Sequence, residues 1–97
     1  MPTFDKLSPF LRDWISLSDE HKHLFMAAVA KMVADLKSGQ GFRAGLRFKG
    51  VQGYPWIYEM TWSGDGRATF EYGTSQIPGE PDIIWRRIGD YSIFKNP

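Results

Sequence analysis

The sequence predicts an α+β fold: two N-terminal helices packed on one face of a four- to five-stranded antiparallel sheet. Three observations carry that expectation. Apolar residues recur at helical spacing from Pro9 to about Lys37, then alternate with polar ones from Leu46 onward. Helices come first and strands after, the order of a sheet with its helices gathered on one side. Aromatic side chains make up 15% of the 97 residues and crowd the second half, at Trp56, Tyr58, Trp62, Phe70, Tyr72, Trp85 and Tyr91, where a sheet core accommodates them.

Residues 1–6 carry no strong signal. Ser8-Pro9 reads as a cap followed by the first helical position, and Phe10, Leu11, Trp14 and Ile15 place a short helix over residues 9–16. Ser18 restarts the helix, with Asp19 and Glu20 favourable in its first turn. The second helix, residues 19–37, has an apolar stripe of Phe25, Val29, Met32, Val33 and Leu36, and Gly39 stops it. Ala27, Ala30 and Ala34 form a second stripe of small residues, against which the first helix is the expected neighbour. Residues 39–45 hold three glycines but follow a helix, so they read as a connector and not as a phosphate loop, which precedes one.

The strands follow. Leu46-Arg47-Phe48-Lys49 alternates, with Leu46 and Phe48 inward; residues 50–55 are turn chemistry. Residues 56–62 set Trp56, Tyr58, Met60 and Trp62 on one face and Ile57, Glu59 and Thr61 on the other. Ser63-Gly64-Asp65-Gly66 closes a hairpin that favours positive φ, and residues 67–72 return with Ala68, Phe70 and Tyr72 on the packed face. A proline-bearing loop leads to Ile83-Ile84-Trp85-Arg86-Arg87-Ile88-Gly89, and residues 90–94 turn into a short edge segment.

Composition bounds the possibilities. A chain of 97 residues, 42% of them hydrophobic, is expected to form one domain with a modest core. Cysteine is absent, which sets aside disulfides and thiolate metal sites, and no run approaches the ~20 apolar residues of a membrane span. The cytoplasm is the expected compartment, with no membrane association. A net charge of +1 argues against binding nucleic acid by bulk electrostatics alone, yet Arg43, Arg47 and Lys49 lie together with no acid between them.

The two arginines in the 83–89 strand call for a reason. Neighbouring strand residues point to opposite faces, so one guanidinium should lie inward, satisfied by a carboxylate such as Glu59 or Glu71 or by a ligand. Two isoleucines flanking a packed position favour Arg86 inward and Arg87 outward. By alternation the uncovered sheet face displays Arg47, Lys49, Glu59, Arg67, Glu71 and one of that pair. Converging arginines suit a phosphate-rich ligand, since guanidinium bonds phosphate bidentately and stabilises charge developing on it. His21 and His23 are two apart on a helix with no third ligand, so no metal is expected; no cofactor motif is present. Nucleophilic catalysis has neither a cysteine nor a Gly-x-Ser-x-Gly elbow.

A short helix and a long one, the basic strand 46–49, the hairpin strand Arg67-Ala68-Thr69-Phe70-Glu71-Tyr72 and the closing Ile84-Trp85-Arg86-Arg87-Ile88-Gly89 to Phe94 resemble the RelE/ParE toxin superfamily of type II toxin–antitoxin systems. The resemblance implies a ribosome-dependent mRNA endonuclease (an mRNA interferase) in the RelE branch and a DNA gyrase inhibitor in the ParE branch; a non-toxic protein of the same fold is the third possibility. It implies a cognate antitoxin that blocks the basic face. Arg67, Arg86, Arg87, Tyr91 and Lys49 are the implied catalytic candidates; Arg43, Arg47, Lys49 and Trp85, as a stacking surface, are the RNA-binding ones. The family's last strand ends in glycine, then a basic residue or histidine, then an aromatic; here Gly89 precedes Asp90 and Tyr91, and the final aromatic is Phe94. Lys49, Tyr91 or Glu71 would move the proton when a ribose 2′-hydroxyl attacks its own phosphate.

Overall fold

The computed structural model describes residues 2–97. Two helices, α1 (Ser8–Ser16) and α2 (Asp19–Ser38), cover a mixed sheet of five strands: β1 (Thr3–Lys6), β2 (Lys49–Val51), β3 (Tyr54–Thr61), β4 (Arg67–Tyr72) and β5 (Asp82–Gly89). The strand order is β1-β5-β4-β3-β2. All pairings are antiparallel except β1 with β5, which run parallel from Thr3 opposite Asp82 to Lys6 opposite Trp85. The sheet is therefore not purely antiparallel. Residues 3–6 gave no signal because an edge strand of four residues with Asp5 and Lys6 exposed has too short a buried face to show alternation.

Both helices lie close to expectation. Ser18 caps α2 by accepting from the His21 amide at 3.1 Å, and Gly39 ends it at φ 71°, where a side chain would be strained. Leu7, not Ser8, is the cap of α1, and it supplies no side-chain hydrogen bond. Phe25, Ala28 and Met32 are the fully covered positions of α2, while Ala27, Ala30 and Ala34 are exposed. Helix α1 packs instead against β5.

The core between helices and sheet is aromatic. Phe25 stands edge-on to Trp85 at 5.1 Å, with Phe10 and Trp14 beside it, and Phe70 meets Trp85 from β4 at 5.5 Å. Met60, Trp62, Ala68 and Ile88 complete it, and Tyr58 packs at its margin. Burying each of these large side chains is worth on the order of 2 kcal/mol.

The segment expected as a first strand is different. Ala44–Leu46 forms a single 3₁₀ turn and Arg47 takes a left-handed conformation at φ 48°, so β2 begins only at Lys49. The sidedness nevertheless survives: Leu46 is buried and Phe48 stacks on Phe42 at 3.7 Å, leaving Arg47 and Lys49 exposed. At the hairpin, Gly64 and Gly66 have no positive φ. Gly66 is required by space, since a Cβ there would sit 2.5 Å from the Trp62 ring and the Ser63 hydroxyl.

The face away from the helices is not open. A 3₁₀ segment, Tyr91–Lys95, crosses it; Ile93 is 2% exposed, and Ile57 and Thr69 on that side are wholly buried. Residues 90–94 therefore form a cover and not an edge. Trp56 and Tyr72, expected in the core, are 52% and 46% exposed because they lie near the strand ends, beyond the reach of the helices.

Candidate functional site

A β-bulge decides the fate of the twin arginines. Phe70 pairs with Trp85 but Thr69 pairs with Arg87, so β5 carries one extra residue and the alternation breaks at Arg86. Neither guanidinium enters the core. Arg86 Nη1 donates to Glu71 at 2.8 Å and its Nε to the Pro97 carbonyl at 3.2 Å, with the guanidinium over the Trp56 ring at 4.7 Å. Arg87 Nε donates to Asp13 at 2.6 Å and Nη1 to the Asn96 carbonyl at 3.0 Å. Asp13 also accepts from the Ile88 amide, so one α1 carboxylate binds both backbone and side chain of β5. The inward–outward division is overturned by the bulge, while the Glu71 partner for Arg86 is as expected.

Arg67 opens β4 and is only 4% exposed. Its Nη1 donates to the carbonyls of Ser63, Gly64 and Gly66, at 3.4, 3.1 and 2.9 Å, closing the hairpin loop around the charge. Its Nη2 donates to the Tyr91 hydroxyl at 2.5 Å, and its centre lies 4.5 Å from the Tyr91 ring. No carboxylate pairs with Arg67 among the described residues, so its charge is uncompensated. Tyr91 is 59% exposed. Because its oxygen accepts from the guanidinium, its own O–H proton is left to donate outward.

Beside Arg67, a cleft of about 410 Å³ runs between α2, the 3₁₀ turn and the hairpin, lined by Lys31, Arg43, Arg47, Arg67, Thr61 and Ser63 among others. Among the described residues no acidic side chain lines it. Arg43 is held there by a bidentate pair with Asp35, its Nη2 at 2.8 Å, and that guanidinium holds the Asp35 carboxyl below its ordinary range, the Arg43 amide adding to the effect. Arg47 and Lys31 are exposed with no partner among the described residues. This is the electrostatics of an anion site.

Lys49 stands apart, 3.8 Å from Glu59, whose residue is 8% exposed. Glu59, Thr69 and Arg67 share the sheet face crossed by residues 91–95, Glu59 opposite Thr69 and Arg67 two residues along β4. Trp85 is 3% exposed inside the helix-side core and presents no stacking surface. The predicted constellation thus separates into Arg43, Arg47, Arg67 and Tyr91 in one region and Arg86 with Arg87 in another. Lys31 was not singled out by sequence, and Glu59 was named there only as a partner for an arginine. Lys31 follows Ala27 by four on α2, a helical-face relation that could have found it.

No protein-family model matches the sequence, and no curated protein matches it. Solved structures do. RelE in the RelB–RelE antitoxin–toxin complex of Methanococcus jannaschii superposes with TM-score 0.62 at 17% identity, covering 96% of this chain and 99% of that one. YafQ in the E. coli DinJ–YafQ toxin–antitoxin complex gives 0.62 at 11% identity, over 94% and 93%. A toxin from Helicobacter pylori gives 0.61 at 12%, over 95% and 97%. The chain has the RelE/YafQ toxin fold. At these identities the likeness is one of architecture, and the RelE-like elements are present over nearly the whole length of both partners.

Proposed function

We propose that this RelE-fold chain is the toxin of a toxin–antitoxin pair and cleaves mRNA on the ribosome. The observation that carries the proposal is the Arg67–Tyr91 pair: a buried guanidinium, uncompensated among the described residues, that lines the basic cleft and holds an exposed phenol. Cleavage of RNA by its own ribose forms a bond from the 2′-oxygen to phosphorus and breaks the bond to the 5′-oxygen. Tyr91 donates its proton to that leaving oxygen, and Arg67 then stabilises the phenolate across the existing hydrogen bond. Glu59, recessed on the same face beside Lys49, accepts the 2′-hydroxyl proton. Lys31 and Arg47 hold the backbone phosphates. Glu71 is left out of the chemistry, since Arg86 occupies it.

A cognate antitoxin is the partner this function requires, and two neighbours of the same fold were solved as complexes with theirs. An exposed apolar groove of about 740 Å³ between β1 and the helices, with Phe4, Leu11 and Met26 at its surface, is of the kind a partner covers.

The test is controlled expression. The wild-type chain is expected to halt growth and to cut translated mRNA, with Tyr91→Phe and Arg67→Ala each relieving the arrest. Unimpeded growth with intact mRNA would refute the nuclease, and arrest accompanied by gyrase inhibition in a topoisomerase assay would replace it with the ParE-type activity.

A further inference from the structure

The arginines that the bulge turns away from the core line a second cleft, also of about 410 Å³, with Leu7, Pro9, Arg12, Tyr54, Arg86, Arg87, Asn96 and Pro97 around it. Three guanidiniums converge there from two elements, Arg12 on α1 and the others on β5. Their free capacity differs. Arg87 is committed to Asp13 and the Asn96 carbonyl, and serves to tie α1 to the strand. Arg86 uses Nε and Nη1, and its Nη2 has no acceptor among the described residues. Arg12 is exposed and has no hydrogen-bond or ion-pair partner among the described residues. Against the three positive charges stand two side-chain carboxylates, Glu71 and Asp13, held by Arg86 and Arg87 and not by Arg12.

Aromatic surface adjoins that charge. Tyr54 lines the cleft and is 38% exposed, and Trp56, 52% exposed, lies against the Arg86 guanidinium. The ion pair with Glu71 and the contact with Trp56 hold Arg86 in one orientation, so a ligand meets a preorganised plane of donors. Free guanidinium donors next to partly exposed aromatic rings are the combination that binds single-stranded nucleic acid, phosphate on the cations and base on the ring. An isolated anion would need the arginines alone, and an apolar partner would not need them.

We infer that this cleft is a binding subsite for a nucleotide of single-stranded RNA, separate from the Arg67–Tyr91 pair, with Arg12 and Arg86 on the phosphate and Tyr54 and Trp56 against the base. The subsite rests on the RNA-directed function proposed above and extends it by naming where a flanking nucleotide is held. Arg67 pairs across the ladder with Thr61 and Gly89, while Arg86 lies three residues from Gly89 on β5 and Trp56 five from Thr61 on β3, so the two regions are roughly 10–17 Å apart at the usual strand rise. An extended single strand covers that span with a few nucleotides, which lets it engage both.

Binding of a fluorescein-labelled, unstructured twelve-nucleotide RNA, followed by anisotropy in a Tyr91→Phe background, tests the subsite without cleavage. Arg12→Glu and Trp56→Leu both change exposed side chains, and each is expected to weaken binding about tenfold. Arg12→Glu should also flatten the salt dependence. Lys6→Glu, the same charge change on β1 and outside this cleft, should stay within about twofold. Equal losses from Arg12→Glu and Lys6→Glu, no effect of Trp56→Leu, or tighter binding of the DNA strand of the same sequence would each overturn the inference. Cleavage by the wild-type chain with binding indifferent to Arg12 leaves the nuclease standing and removes the subsite; specific binding without cleavage does the reverse.

Discussion

At the scale of single residues, what a side chain can do here depends on which partner reaches it first. Tyr91 is the clearest case. Tyr91→Phe keeps the ring beside Arg67 and removes the hydroxyl proposed to hand on the proton, so cleavage is expected to fall about 10²–10⁴-fold in a purified translation assay. Its cost in stability should be only about 1 kcal/mol, the worth of one hydrogen bond. Thr69 shows the opposite situation: its hydroxyl is wholly buried between Glu59 and Arg87 on the neighbouring strands and has no partner among the described residues. Thr69→Val removes that unpaired group with little change of shape, and urea denaturation is expected to show a gain of about 1 kcal/mol. No pattern in the sequence distinguishes these two polar residues, because neither spacing nor alternation reports a hydrogen-bond partner many residues away.

Among the elements, β5 and the hairpin bear the most constraint. Asp13 joins α1 to β5 through both oxygens, taking the Arg87 guanidinium and the Ile88 amide together. Asp13→Ala leaves a half-buried guanidinium and a backbone donor unpaired, and thermal unfolding should report a loss of about 2–3 kcal/mol. An Arg87→Met, Asp13→Ala double variant should recover part of it. At the hairpin, Gly66→Ala drives a methyl into Trp62 and Ser63, with an expected loss of about 1–3 kcal/mol and a disturbed Arg67. The boundaries of both helices and of β3, β4 and β5 were readable within a residue or two, because each has an apolar face long enough to repeat. The 46–49 segment was not, since a single αL residue at Arg47 converts a strand into a turn while keeping the same residues inward.

Over the whole molecule, ionisation sets the limits of stability. The Arg43 guanidinium and amide lower Asp35, and the Ser92 hydrogen bonds lower Asp90. Their folded values lie below the ordinary 3.8, so the stability they add is present above that value and is lost as pH falls through the lowered ones. Burial, with a smaller contribution from Tyr58, raises Tyr72 above its ordinary 10.0. That contribution is complete below pH 10.0 and disappears as pH rises through the higher folded value. Urea midpoints measured across the pH range should therefore fall at both ends, with Asp35→Asn flattening the acid limb and Tyr72→Phe the alkaline one.

Local pattern alone determined the helices, the long strands, the stop at Gly39 and the apolar sides of most elements, because these follow from residue spacing and from backbone freedom at single positions. The tertiary structure decided the rest. It added the parallel β1, broke the alternation of β5 with a bulge, laid residues 91–95 over the second face and buried Trp85. As a result the single basic face suggested by alternation became two clefts, one around Arg67 and Tyr91 and one around Arg12 and Arg86. The physical reason is that a guanidinium reaches several ångströms from its strand, so its place is set by the carboxylates, carbonyls and rings that distant segments bring within reach.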